Sequence, residues 1–267
     1  KLRPFYEGRS FCVTGGAGFI GGHLVDALFG LGATVSVIDD LSSSTAQHLA
    51  ELMDLDPERV RFVHGSILDD DALAQAVAGV SAVFHLAAVA SVPRSIAEPE
   101  RSFQVNTSGT LRVTQAAKAA GVARVVYSAS SSAYGDLPGA DGARPKLETQ
   151  MPMPLSPYAA SKLAGEHIMR SWSASYGLST VSLRYFNIFG PRQPADSPYS
   201  GVIALFAKQL LAGETSTIFG DGMQSRDFTY VSNAVLANLL AASSPRVLTG
   251  DVFNVGSGRS VSLVELY

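Results

Sequence analysis

F-C-V-T-G-G-A-G-F-I-G, residues 11–21, runs from strand-forming residues through glycines into helical spacing. A strand that turns sharply into a helix needs glycine at the turn, because a Cβ there collides with neighbouring backbone. Gly15, Gly18 and Gly21 recur every third residue. The first permits the turn, the second lets backbone N–H groups approach a pyrophosphate, and the third lets the helix pack on the strand. The stretch therefore predicts the opening strand–turn–helix of a parallel α/β sheet, with a dinucleotide site at the helix start.

Outward from it, apolar runs at 34–39, 60–64, 82–86, 124–128 and 180–184 read as further strands. Their apolar residues are consecutive, as in strands covered on both faces. Helical spacing fills 19–31, 70–77, 103–120 and 156–176. Strand–helix alternation predicts a Rossmann-type, doubly wound parallel sheet of the α/β class. Asp39 ends the second strand, where a carboxylate meets the adenosine ribose hydroxyls. Its charge, with that of Asp40, repels a 2′-phosphate and favours NAD over NADP. After residue 185 the texture changes to short elements rich in Gly, Pro and aromatics. This predicts an NAD-binding domain over 1–185 and a smaller substrate lobe over 186–267, partly interleaved with the first. The last stretch, V-S-L-V-E-L-Y, carries no helix stop signal, so the lobe is expected to continue past Tyr267.

The 267 residues are 46% hydrophobic with net charge −3. That balance gives no electrostatic reason to expect nucleic acid or an anionic membrane. No apolar run approaches the ~18 residues of a membrane span, and the N-terminal stretch lacks a signal-peptide core. The single cysteine, Cys12, lies in a strand and reads as a small buried hydrophobe; one thiol fits a reducing cytoplasm. No metal site is expected.

Two further stretches carry chemistry. In S-P-Y-A-A-S-K, 156–162, Tyr158 and Lys162 stand four apart, on one helix face. A lysine ammonium near a phenol favours the phenolate, so Lys162 is expected to lower the Tyr158 pKa and make it a base near neutral pH. In V-V-Y-S-A-S-S-S-A-Y-G, 125–135, a strand ends in serines. Ligands of α/β sheets bind at the carboxyl ends of strands, so Ser130 is expected beside Tyr158. The glycine spacing together with Ser130, Tyr158 and Lys162 resembles the extended short-chain dehydrogenase/reductase family, whose catalytic triad is Ser-Tyr-Lys.

Nearly the full length resembles the NAD-dependent nucleotide-sugar 4-epimerases of that family. The matching stretches are H-L-A-A (85–88), S-V-P-R-S-I (91–96), Q-V-N-T-S-G-T (104–110), S-A-S-S-S-A-Y-G-D (128–136), P-L-S-P-Y-A-A-S-K (154–162), L-R-Y-F-N-I-F-G-P-R-Q (183–193) and I-F-G-D-G-M-Q-S-R-D-F-T-Y-V (218–231). The resemblance implies cofactor contacts at Phe19, Ile20, Asp39, Ser42, Ser66, Ile67, Leu86, Ala87, Ala88, Val89, Asn106, Ser128, Tyr158, Lys162 and Phe186. It implies a UDP-sugar substrate held by Ser91, Ser130, Ser131, Ser132, Asn187, Val202, Thr217, Phe219 and Arg226, with Asn187 and Arg226 at the diphosphate and Thr217 and Phe219 at the uracil. It also implies a homodimer packed through the helices at 103–120 and 156–176. Where the family has Asp for the adenine amino group, this chain has Ser66, a weaker acceptor.

Dehydratases of the family carry an Asp-Glu pair just after the catalytic hydroxyl residue, and related decarboxylases a Glu. Here Ser131 and Ser132 stand there, and a hydroxyl does no carboxylate acid–base work at neutral pH. The resemblance thus points to epimerisation at C4 of UDP-GlcNAc or UDP-glucose, with UDP-glucuronate epimerisation or other nucleotide-sugar redox chemistry as the alternative.

Overall fold

The computed structural model describes residues 1–135, 145–195 and 201–267. Asp136, the last residue of the 128–136 motif, lies outside them. The strands are β1 (Ser10–Thr14), β2 (Thr34–Asp39), β3 (Val60–His64), β4 (Ala82–His85), β5 (Arg124–Ser130), β6 (Ser179–Tyr185), β7 (Asn187–Phe189), β8 (Ser225–Arg226), β9 (Phe228–Tyr230), β10 (Thr249–Val255) and β11 (Val261–Ser262). Seven form one all-parallel sheet in the order β3-β2-β1-β4-β5-β6-β10. Strand order reverses between β1 and β4, and that reversal opens a crevice at the carboxyl ends.

Alternation along β1 shows how two faces are covered. Phe11 and Val13 join a core with Leu24, Leu28 and Leu239, under the helices Phe19–Gly30 and Val231–Ser243. Cys12 joins another with Leu73, Val113 and Met169, under Asp70–Val77, Thr110–Ala119 and Pro157–Tyr176. Cys12 is fully buried, and burial pushes its thiol up to about 12. At that value it stays protonated and unreactive.

Most expected elements recur with shifted ends. The fourth strand stops at His85, which frees Leu86 for the crevice. The fifth runs on to Ser130, so Ser128 and Ser130 belong to the sheet, in register with Leu183 and Tyr185. The helix expected over 103–120 is broken. Pro99–Phe103 is α-helical, Gln104–Gly109 is a π-helical turn, and Thr110–Ala119 resumes the α-helix. The bulge lies where the buried Asn106 side chain turns aside to bond Val89 and Ser161. The Pro157–Tyr176 helix is capped at its start by Ser156, which accepts from Ala159 N, and ends at Gly177 in the left-handed region, φ +68°.

Beyond β6 the chain makes two small sheets, β7 with β9 and β8 with β11, and the helix Val202–Leu211. It then returns to the large layer through Val231–Ser243 and β10, which pairs with β6. Arg124, at the start of β5, fastens this return. Its Nη1 donates to Ala241 O, Ala242 O and Ser244 O at 2.8, 3.0 and 2.8 Å, and its Nη2 to Arg246 O at 2.6 Å. A guanidinium there neutralises the negative end of the helix dipole and satisfies its last carbonyls. Replacing Arg124 with Ala should cost about 2–3 kcal/mol and lower the melting temperature by several degrees, measured by calorimetry.

Candidate active site

The crevice between β1 and β4 is a cleft of about 450 Å³. Gly15, Gly18, Phe19, Ile20, Gly21, Asp39, Asp40 and Ser42 line it, with Ser66 and Ile67 after β3. Leu86–Ser91 follow β4, and Ser128, Tyr158 and Lys162 lie at the far end.

Two glycines show why no other residue serves at the turn. Gly15 sits at φ +71°, and a Cβ there would come within 2.7 Å of Ala87 N. A Cβ on Gly21 would lie 2.1 Å from Gly15 O. At Gly18, by contrast, a Cβ would meet only Gly15 O, at 3.3 Å. Its other side faces open cleft, beside a helix start without a side-chain cap. That is a cradle for a pyrophosphate. Asp39 is fixed as an acceptor at its edge: one oxygen accepts from Ala17 N at 3.0 Å, the other from Leu41 N and the Ser44 hydroxyl at 2.9 and 3.2 Å. Asp40 accepts from Ser42 N. Glycines, helix start and carboxylate together fit NAD.

Behind the cleft runs a fully buried relay. The Thr14 hydroxyl accepts from Leu86 N and Ala87 N at 3.2 and 3.1 Å, and lies 2.8 Å from His85 Nδ1. His85 Nε2 lies 2.9 Å from the Thr110 hydroxyl, which donates to Asn106 O at 2.6 Å. Because Thr110 donates onward, it accepts from Nε2–H, and Nδ1 accepts from Thr14. Burial, with Lys162 nearby, pushes His85 down to about 3, so the ring stays neutral in that tautomer. The relay ties β1, β4 and the π-helical turn together and sets the path of the 86–91 loop.

At the far end, Lys162 is 3% exposed, with Nζ 4.5 Å from the Tyr127 ring centroid. Desolvation pushes its amine down to about 7, while Glu166 one turn on pulls it back up. Glu166 is itself held by a buried, two-pronged pair with Arg184, at 2.8 and 2.7 Å. Tyr158 is not lowered by the lysine as its spacing predicts. Burial raises the phenol above its ordinary value, and the opposing influence is a hydrogen bond from Ser130, not the lysine. Tyr–Lys spacing gives proximity along a helix but not the dielectric around it, and here desolvation wins. Ser130 accepts from the Ser132 hydroxyl at 2.8 Å and from Ser132 N at 3.2 Å, which leaves its own proton to donate.

Asn187, Val202 and Arg226 line a second cavity of about 280 Å³, joined to the cleft through Gln193 and Gly201. Asn187 donates to Asp227 O at 2.9 Å. Thr217 and Phe219 lie away from both cavities. They sit in a segment without regular structure, and Phe219 is 83% exposed, so no strand seats its ring. Asn106 is placed behind the 86–91 loop, not in the cleft, while its neighbour Val105 lines it. Phe186 packs near Tyr134 instead of lining the cleft. Ser131 and Ser132 form the turn after β5. The cleft also takes in Arg94, Arg101 and Tyr185, which the motifs did not single out. Tyr185 stands inside the quoted R-Y-F-N run, and its position at a strand end was the available signal.

Lys162 gives a pH test. Unfolded, its amine titrates near 10.4; folded, near 7. Between these values the unfolded chain binds the extra proton, so stability contributed through this group rises with pH from about 7 to about 10. Lys162→Met should be more stable than the parent at neutral pH and lose most of that advantage by pH 10, measured by denaturant titration.

Residues 11–256 match the family model described as the NAD dependent epimerase/dehydratase family. The UDP-glucose 4-epimerase of Mycolicibacterium smegmatis is 41% identical over 96% of this chain and 79% of its own length. A solved UDP-N-acetylglucosamine 4-epimerase from Methanobrevibacter ruminantium M1, in complex with UDP-N-acetylmuramic acid, superposes with a TM-score of 0.89 at 42% identity, over 97% of this chain and 80% of that one. A UDP-glucose 4-epimerase from Thermotoga maritima, solved with UDP-glucose, gives a TM-score of 0.86 at 37% identity, over 96% and 80%. A glycine cradle with its acidic edge, a Ser-Tyr-Lys set at the far end, and likeness over nearly the whole chain make this protein a member of the NAD dependent epimerase/dehydratase family.

Proposed function

We propose that this chain interconverts C4 epimers of a UDP-hexose, UDP-GlcNAc or UDP-glucose, through a transient 4-keto sugar. The observation that carries the reading is the end of β5: Ser130 close enough to Tyr158 to favour its phenolate, Lys162 one turn on from Tyr158, and hydroxyls at Ser131 and Ser132. When bound, NAD supplies the acceptor and donor of the C4 hydride.

Tyr158 takes the proton of the sugar 4-hydroxyl and later returns it. Burial opposes the phenolate, so its stabilisation must come from close donors. Ser130, polarised by two hydrogen bonds from Ser132, donates to the phenolate or to the substrate oxygen. Lys162, with an amine near 7, is partly ammonium at neutral pH and offers positive charge at the same end. Arg226 and Asn187 in the second cavity suit a diphosphate, because the guanidinium fork donates two bonds at once. Holding the nucleotide there leaves the keto sugar free to turn over in the cleft. Ser131 and Ser132 offer no acid or base to expel water, which favours epimerisation over dehydration. The reading includes a cytoplasmic enzyme and a dimer through the helices around 99–119 and 157–176; Phe103 and Tyr176, 41% and 52% exposed, give those helices exposed apolar surface.

Proton NMR of the purified protein with UDP-glucose, UDP-GlcNAc and UDP-glucuronate in turn should show the matching 4-epimer from one of the first two, with no net NADH. A 4-keto-6-deoxy product, or NADH in step with sugar, would sink the epimerase reading. Tyr158→Phe should keep bound NAD and lose about 10²–10⁴-fold in kcat; unchanged turnover removes Tyr158 from the reaction.

A further inference from the structure

Tyr158, Lys162 and Glu166 stand four apart on the Pro157–Tyr176 helix, so one stripe of that helix carries all three. The reaction above uses the first two. Glu166 is buried and takes no part in lining the cleft. Arg184 of β6 donates to it from Nε and Nη2, at 2.8 and 2.7 Å. The guanidinium carbon also lies 4.6 Å from the centroid of the Tyr134 ring, in the turn that follows Ser130. The pair thus joins the helix of Tyr158 and Lys162, β6 and the serine turn.

A buried ion pair is a poor way to hold a fold. Attraction meets its desolvation cost only in part, and apolar side chains of similar volume commonly serve as well or better. Its place beside Lys162 gives the pair another use. Around Lys162 stand the Tyr127 ring from β5, His85 from β4, Tyr158 on its own helix and Tyr185 from β6, with Arg94 and Arg101 along the same cleft. Burial keeps the phenols and the imidazole uncharged at neutral pH, and the two arginines oppose a further cation. Burial by itself favours the neutral amine of Lys162. Among the described residues, the anion that draws it back toward ammonium is Glu166. Arg184 supplies the positive partner that a buried carboxylate needs.

We propose that Glu166, held by Arg184, is a positioning residue of the reaction: it keeps Lys162 as the ammonium that Tyr158 needs when it becomes a phenolate. Only that last step rests on the epimerase reading; the hold of Glu166 on Lys162 does not. An amine without its proton exerts no such pull, so losing Glu166 slows proton transfer without loosening the nucleotide.

Two variants of the cofactor-loaded protein test this. Glu166→Gln removes the carboxylate and leaves Arg184 unpaired in the interior. Glu166→Gln/Arg184→Met removes both charges and should melt at or near the parent temperature. Carbon-13 NMR of lysine-labelled protein follows the Lys162 Cε signal through a pH titration; its loss in Lys162→Met picks it out among five lysines. The parent midpoint should lie near 7. It should fall by about one pH unit in the double variant, and further in Glu166→Gln. In the double variant kcat should drop about fivefold to tenfold on the alkaline side of the parent midpoint and less than about twofold well on its acid side, with KM for the UDP-sugar within about twofold. A merely structural role would give a deficit that does not change with pH. Such a deficit, an unmoved midpoint, or a parent-like kcat despite a lowered midpoint overturns the assignment. A parent that forms no epimer sinks the epimerase reading, while the titration still decides whether Glu166 holds the ammonium.

Discussion

At the turn from β1 into the helix that follows it, nothing larger than hydrogen fits at two points. A Cβ at Gly21 would stand 2.1 Å from Gly15 O, and one at Gly15 would press on Ala87 of the neighbouring strand's exit. Much else depends on that contact. It lets the helix start sit over the carboxyl end of the sheet, and brings the 86–91 loop against the turn. The Thr14–His85–Thr110 relay then locks that loop from behind. The cleft is the space left over between these pieces, at the place where strand order reverses.

A second constraint is dielectric. The far end of the cleft and the core behind it hold an amine, a carboxylate, a guanidinium and four phenols, largely buried. Each charge there carries a desolvation cost. Glu166 and Arg184 offset theirs with a two-pronged pair. Lys162 has an aromatic face and a carboxylate one turn away, and its amine falls to about 7. Tyr158 and Tyr185 stay phenols, each tied to serines of β5. Of these groups only Lys162 is brought near its switching point at neutral pH, and the same burial holds the phenols protonated until a close donor stabilises the phenolate.

Much of the fold was legible in the chain because its signals are local. The glycine turn and the consecutive apolar strands each depend on a few adjacent residues. The Ser130–Tyr158 contact was also foreseeable, since strand ends and helix faces follow from period. The break in the 103–120 helix was not. It comes from Asn106 meeting Val89 and Ser161, partners 17 and 55 positions away. Likewise Val105, Arg101 and Tyr185 carry no motif that separates a cleft-lining residue from its neighbours.

What the sequence by itself determined is the kind of molecule: a parallel α/β sheet, an acidic-edged dinucleotide turn, and a Tyr-Lys pair one helical turn apart. These are set by sterics and periodicity, which act over a few residues. Only the tertiary structure decided how the charges stand. Whether Lys162 or Ser130 answers Tyr158 and which tautomer His85 keeps both depend on burial and on groups brought together from distant parts of the chain, and electrostatic energy responds to that surrounding medium as much as to the partner itself.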